Sequence, residues 1–400
     1  MSNFEDLDRL LQKYVDDGLP GCALQIARKG VTIYEKYFGW ADKEAGIPLN
    51  RTHLFRQASL TKIAMYTVGM MLYEQGRFLM SDPLYEYFPE YRNAKKAIPR
   101  ADGDYDIVPV DHPILVKHIF NMTAGLPYNM LLGADAPTQH PTSTAMARAM
   151  KRLRDRGHYT LREEIREMSS IPLAFEPGSH FLYGFSSELA AGLLEVICGK
   201  PAEVVIKEML FEPLEMTSSA NYLVGDMRDR LVKNYYLREG KKLSDPDALY
   251  VPENEIAVKS TGPLGSVSGF SRVITNCNDY THLFSMLANG GRYKSEQIIG
   301  RSTIDLIRTN TLSPDMIAND FSNDYLAGYG YGYGMRTMTD PYAGAHNGPR
   351  GSFGWTGGSG TWGEADPSRG ISIVYMHNLQ PNLEMYHHIR MRAVAYGCLD

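Results

Sequence analysis

The chain has 400 residues, a formal net charge of −5 and 44% hydrophobic residues, the make-up of an ordinary globular protein. At roughly 150 residues per domain the length allows two or three units. The mild negative charge excludes the basic face that a nucleic-acid partner needs, and the longest apolar run, Ile63 to Tyr73, falls short of the ~20 residues that cross a bilayer.

The opening Met1-Ser2-Asn3-Phe4-Glu5-Asp6-Leu7 is acidic and has no apolar signal core, which predicts a cytoplasmic protein. Leu7, Leu10, Leu11, Tyr14 and Val15 follow at helical spacing, and Asp17-Gly18-Leu19-Pro20-Gly21 ends that helix. Cys22–Ala27 and Val31–Phe38 read as two strands joined through Arg28-Lys29-Gly30. A helix followed by a hairpin suggests an antiparallel sheet covered by helices. Residues 59–76 form a helical run with Ser59 in or near its first turn. Residues 82–220 read as mainly helical, with loops at 99–113 and 132–144, and 221–262 are polar with short apolar pieces. Asn278–Asn289 is a helix stopped by Gly290-Gly291. Tyr329–Met335 reads as a twisted strand with its tyrosines on one face, Gly370–His377 as a strand, and Leu383–Tyr396 as the last helix. No repeat or low-complexity tract is present. The expected architecture is α+β. A sheet domain comes from 1–81 and 261–400, a mainly helical domain from 82–260, and a cleft lies between them.

Three stretches carry chemistry. In Ser59-Leu60-Thr61-Lys62 a helix puts hydroxyl and amine on one face. A Ser hydroxyl attacks well only when a base takes its proton, and a helix start favours the oxyanion that forms. A chain of this size contains roughly one Ser-x-x-Lys by chance, so alone the motif equally describes a surface Ser and a solvated Lys. In Glu176-Pro177-Gly178-Ser179-His180-Phe181-Leu182-Tyr183, Pro and Gly make a turn before a helical run from Glu188 to Ile197. Tyr183 then sits at a loop-to-helix junction, where a phenol either packs on a carbonyl or shuttles a proton. In Gly351-Ser352-Phe353-Gly354-Trp355-Thr356-Gly357-Gly358 the glycines permit close approach of ligand to backbone, or simply make a turn.

In this order and at these spacings the three stretches resemble the Ser-x-x-Lys, Tyr-x-Asn and Lys-Thr-Gly series of serine β-lactamases and penicillin-binding proteins, and specifically the class C β-lactamase-like group. Phe55-Arg56-Gln57-Ala58, Pro177-Gly178, Asn278-Asp279-Tyr280, Leu287-Ala288-Asn289-Gly290-Gly291 and Asp366-Pro367 agree with that group, and the resemblance runs from about residue 5 to 395. Two departures stand out. Phe185 replaces the Asn that hydrogen-bonds a substrate amide, and Trp355 replaces the Lys that binds an anionic substrate. Both favour a neutral ester, and Trp355-Thr356-Gly357-Gly358 is similar to the third motif of family VIII carboxylesterases. The resemblance implies Ser59 as nucleophile of an acyl-enzyme and Lys62 with Tyr183 as proton relay, with the ground-state base left open between them. It also implies an oxyanion hole from the Ser59 and Gly358 N–H groups, and substrate contacts from Trp355, Phe185, Thr356 and Gly357.

The expected partner is a small-molecule ester, with no nucleic acid, no membrane, no cofactor and no metal. A β-lactamase, D-Ala-D-Ala peptidase or acyltransferase on the same scaffold is the alternative, and a non-catalytic binding protein is the reading from another class. No run fits Gly-x-Ser-x-Gly, the nearest being Gly265-Ser266-Val267-Ser268-Gly269, so an α/β-hydrolase nucleophile elbow is unsupported. His387-His388 reads as part of a surface helix, and Lys151–Arg156 as a solvated helix face. Cys22, Cys198, Cys277 and Cys398 form no CxxC pair and read as free thiols or small apolar residues. The 26 tyrosines serve packing or line an aromatic cleft.

Overall fold

A computed structural model describes residues 4–128, 140–157, 159–251 and 273–399. Helix α1 (Glu5–Asp16) buries Leu7, Leu11 and Tyr14, as its spacing predicts. Strands β1 (Gly21–Arg28) and β2 (Val31–Asp42) pair antiparallel with Cys22 opposite Phe38. Their two-residue turn puts Lys29 at φ +52° and Gly30 at φ +80°, the backbone that matches the twist of a hairpin.

The hairpin supplies two strands of an eight-stranded antiparallel sheet. β3 (Ile47–Pro48) closes one edge, and the other five strands come from the far end of the chain. From the opposite edge the order is β6 (Tyr329–Tyr331), β7 (Arg336–Met338), β8 (Phe353–Gly357), β9 (Thr361–Asp366), β10 (Ile371–His377), β1, β2, β3, where β4 (Lys95–Pro99) and β5 (Tyr105–Pro109) form a separate hairpin. Strand β10 is buried on both faces. Ile371, Ile373 and Tyr375 join a core under α1 and α7 (Glu384–Leu399), while Val374 and Met376 join the larger core on the other side. Burial on both faces explains why Ile373, Val374, Tyr375 and Met376 follow one another without polar alternation.

The larger core holds α2 (Thr61–Glu74), α5 (Ser186–Cys198) and α6 (Cys277–Ala288). Helix α2 is buried from Thr61 to Leu72. Each of its large apolar side chains contributes about 1.5–3 kcal/mol by leaving water. It is therefore the central post of the molecule, and no helix among the described residues is long and apolar enough to cross a membrane.

Several expectations need correction. The 99–113 loop is in part the β4–β5 hairpin, and α3 (Pro141–Arg156) already starts inside the expected 132–144 loop. The chain turns at 332–335, where the Gly332 N–H donates to the Met335 carbonyl, so the expected 329–335 strand is only β6 and a hairpin to β7. His387 and His388 are buried, not on a surface: α7 lies on the sheet, and its imidazoles stack on Tyr14 and Trp362. The expected solvated face of α3 holds, with Lys151, Arg152 and Arg156 exposed and Arg152 paired with Glu167 of α4 (Leu161–Met168). The described cysteines are all free. The 265–269 segment and the expected 260/261 boundary lie outside the described residues.

Candidate active site

Ser59 does not open the helix itself. It sits in a 3-10 turn, Ala58–Leu60, just before α2. Ala58 has φ +45°, a left-handed conformation that costs an L-residue about 1–2 kcal/mol. Tertiary bonds hold it there. The Gln57 N–H donates to the Val273 carbonyl (2.9 Å), and the Gln57 carbonyl accepts from Thr361 Oγ1 (3.1 Å) of β9. The Val273 N–H in turn donates to Thr61 Oγ1 (2.9 Å). One helical turn past Ser59, Lys62 Nζ donates to Ser59 Oγ at 3.3 Å, as the i, i+3 spacing predicts.

Tyr183 arrives on a clamped loop. At its start the Glu176 carboxylate accepts from Lys96 Nζ (2.7 Å) and from the His112 N–H (2.9 Å). The loop then runs beside residues 122–126: the Gly178 N–H donates to Thr123 O, Leu182 N–H to Met122 O and Phe185 N–H to Leu126 O. This pairing sets Tyr183 beside Tyr128, with ring centres 5.8 Å apart, and Lys62 Nζ lies 5.0 Å from the Tyr183 ring centre and 5.5 Å from that of Tyr128. The three residues of the expected relay are thus brought together.

Trp355 does more than line a pocket. From β8 its indole N–H donates to the Tyr183 hydroxyl oxygen at 3.0 Å, with the rings stacked at 5.2 Å. Gly357, at the end of β8, lies against the turn before Ser59. A Cβ there would come within 2.1 Å of the Gln57 carbonyl, so only glycine lets strand and turn meet. A Cβ at Gly358 would meet nothing within 4 Å among the described residues, so this next residue along the chain borders open space. Two expected contact residues are placed elsewhere. Alternation along β8 turns the Thr356 side chain to the other face, where its hydroxyl donates to Thr361 O (3.1 Å) and accepts from Asn382 Nδ2 (3.1 Å). Phe185 is buried edge-on against Tyr128 at 4.9 Å.

Sequence reasoning missed Tyr128 and Glu188. Lys62 is only 1% exposed. Burial alone would lower the pKa of its amine, but Tyr128, Tyr183 and Glu188 outweigh burial and raise it, which favours the ammonium form. Tyr128 hydrogen-bonds that ammonium. Glu188, in the first turn of α5, is fully buried, and burial pushes its carboxyl up while Lys62 and the Ser187 hydroxyl pull it back. A carboxylate heading an otherwise apolar helical run was the available signal. It reads first as a complement to the helix dipole. Among the described residues no group of three or more His, Cys, Asp and Glu is placed to hold a metal ion.

Comparison with known proteins bears on the family and the fold. The sequence profile of the Beta-lactamase family matches residues 7–396. Esterase EstB of Burkholderia gladioli is 26% identical over 370 residues, covering 90% of this chain and 86% of that protein. The solved structure of EstCE1, a hydrolase with promiscuous acyltransferase activity, has a TM-score of 0.77 at 24% identity and covers 98% of each chain. A family VIII carboxylesterase structure has a TM-score of 0.70 at 17% identity, covering 99% of this chain and 97% of its own.

Proposed function

This chain belongs to the Beta-lactamase family, and from that premise we propose that it is a serine hydrolase that cleaves small or short-acyl carboxylic esters through an acyl-enzyme on Ser59. The observation that carries the reading is the meeting of Lys62 Nζ with Ser59 Oγ at 3.3 Å, beside a Tyr183 oxygen that accepts the Trp355 N–H at 3.0 Å. With Lys62 held as an ammonium, the base is Tyr183 acting as a phenolate, which that ammonium and the Trp355 N–H stabilise. Ser59 Oγ bonds to the ester carbonyl carbon as its proton passes to the Tyr183 phenolate oxygen, leaving a neutral phenol. The tetrahedral oxyanion rests on the Ser59 and Gly358 N–H groups. The carbon–alkoxide bond then breaks, and the alcohol leaves with the proton. Water repeats the sequence, releasing acid and restoring Ser59.

The substrate class follows from the walls. Trp355 stacks on Tyr183, and Tyr331 meets Trp355 edge-on at 5.3 Å. An aromatic surface carrying an indole in place of a cation suits a neutral ester better than an anionic peptide or β-lactam. Purified protein should turn over nitrophenyl butyrate, with Ser59→Ala reduced to background and Lys62→Ala and Tyr183→Phe reduced about 10²–10⁴-fold. Undiminished turnover by Ser59→Ala would sink the reading. Faster hydrolysis of nitrocefin or of D-Ala-D-Ala peptides would replace the substrate class. Ester formed with an added alcohol would identify a transacylase on the same intermediate.

A further inference from the structure

We propose that Glu188 is a positioning residue that supplies the buried counter-charge of Lys62, acting through Ser187 and Tyr128. The inference rests on the active-site reading above and deepens it. Its geometry is a chain of short contacts leading inward from the nucleophile. Ser59 Oγ meets Lys62 Nζ at 3.3 Å, and the ammonium meets the Tyr128 hydroxyl. The Tyr128 hydroxyl lies 3.4 Å from Ser187 Oγ, and Ser187 Oγ donates to Glu188 Oε2 at 2.7 Å. Glu188 has no exposed surface, and its other oxygen, Oε1, has no hydrogen-bond partner among the described residues.

A carboxylate so enclosed is costly unless an opposite charge faces it. Complementing the α5 dipole needs no burial, since a first-turn Glu does that equally well in water. The groups that face Lys62 are Tyr128 from the loop after residue 120, Tyr183 from the 176–185 loop, Glu188 from α5 and Ser59 from the turn before α2. Trp355 of β8 reaches the pair only through Tyr183. On Lys62's own helix Tyr66 is buried nearby, and Tyr331 of β6 stands behind it. Among these described groups Glu188 alone is a carboxyl group. An ionised Lys62–Glu188 pair keeps the amine from competing for the Ser59 proton and leaves that proton to Tyr183 acting as a phenolate.

Two measurements test this independently. In a Ser59→Ala background, with lysine ¹³C-labelled at Cε and the Lys62 signal assigned by its loss in Lys62→Met, Lys62 should be charged at pH 7. Glu188→Gln, which keeps size and one acceptor, should lower its titration midpoint by at least tenfold in the ionisation constant. A neutral Lys62 at pH 7, or an unmoved midpoint in Glu188→Gln, would overturn the proposal whether or not the protein hydrolyses esters. In the active protein, Glu188→Gln should lower kcat for nitrophenyl butyrate at least tenfold with KM little changed, and should move the alkaline limb of the kcat profile to lower pH. Glu188→Asp should restore most of both. A Glu188→Gln profile that superimposes on the parent's would also overturn the proposal. Absence of parent turnover alongside a shifted Lys62 midpoint would instead count against the esterase reading and leave the Glu188–Lys62 coupling standing.

Discussion

Trp355 stands where the resemblance to β-lactam-active chains implies a lysine, and its indole supplies a donor without a charge. The indole N–H still offers a donor to the Tyr183 oxygen, at 3.0 Å, but brings no charge. A hydrogen bond of this kind contributes about 1.5–3 kcal/mol when its acceptor carries charge. Trp355→Phe keeps the ring stack and removes only the donor. It should lower kcat/KM for a small nitrophenyl ester by about 10- to 100-fold with thermal stability nearly unchanged, as steady-state kinetics and a melting curve would record. Full activity in that variant would mean that the bond plays no part in turnover. The sequence discloses that an indole replaces a cation. It does not disclose where the N–H points, because strand pairing and loop docking decide that.

Strand β8 and the turn before α2 act as one unit. Gly357 lets the strand approach the Gln57 carbonyl, and Thr361 of β9 hydrogen-bonds the same carbonyl at 3.1 Å. This double anchorage holds Ala58 at φ +45°, in the turn that carries Ser59. Adjacent glycines therefore carry opposite expectations. Gly357→Ala drives a methyl into backbone and should cost about 1–3 kcal/mol of stability, with most ester turnover lost. Gly358→Ala places its methyl in open space and should leave the urea midpoint within about 0.5 kcal/mol. Equal stability of the two variants would contradict the close approach. The motif showed a cluster of glycines, but alike in sequence they could not be told apart. Only the position of Gln57, distant along the chain, separates them.

For the whole molecule, the buried histidines set a lower limit of pH. His377 is held neutral by two bonds: its Nε2–H donates to the Asn382 carbonyl (2.9 Å), and its Nδ1 accepts the Leu379 N–H (3.2 Å). Burial pushes its pKa down to about 4, and burial aided by Lys117 does the same to His118, also to about 4. In the unfolded chain both titrate near 6.5. As pH falls through that value the unfolded state takes up protons first, so stability is complete above about 6.5 and declines from there to about 4. Urea unfolding at pH 5 should therefore show about 2 kcal/mol less stability per histidine than at pH 7.5. His377→Gln should flatten the dependence even where it lowers the overall value. A midpoint indifferent to pH over this range would show that neither imidazole is held neutral. The tyrosines divide in a similar way, since Tyr66, Tyr280 and Tyr375 are core residues whereas Tyr128 and Tyr183 meet at Lys62.

Local chemistry was enough for much of this. The i, i+3 spacing of Ser59 and Lys62, the Lys29-Gly30 turn, the amphipathic first helix and the β-branched 371–377 strand follow from backbone periodicity, which is written residue by residue. Periodicity could not show that His387 and His388 lie against the sheet, since a helix bearing imidazoles buries them only when partners such as Tyr14 and Trp362 are there to receive them. Nor could it show that Glu188 and Tyr128 stand behind Lys62, or that Thr356 faces away from it. Those relations join segments far apart in the chain, and tertiary packing decides them because burial, not spacing, sets whether a polar group becomes a charge, a donor or a structural tie.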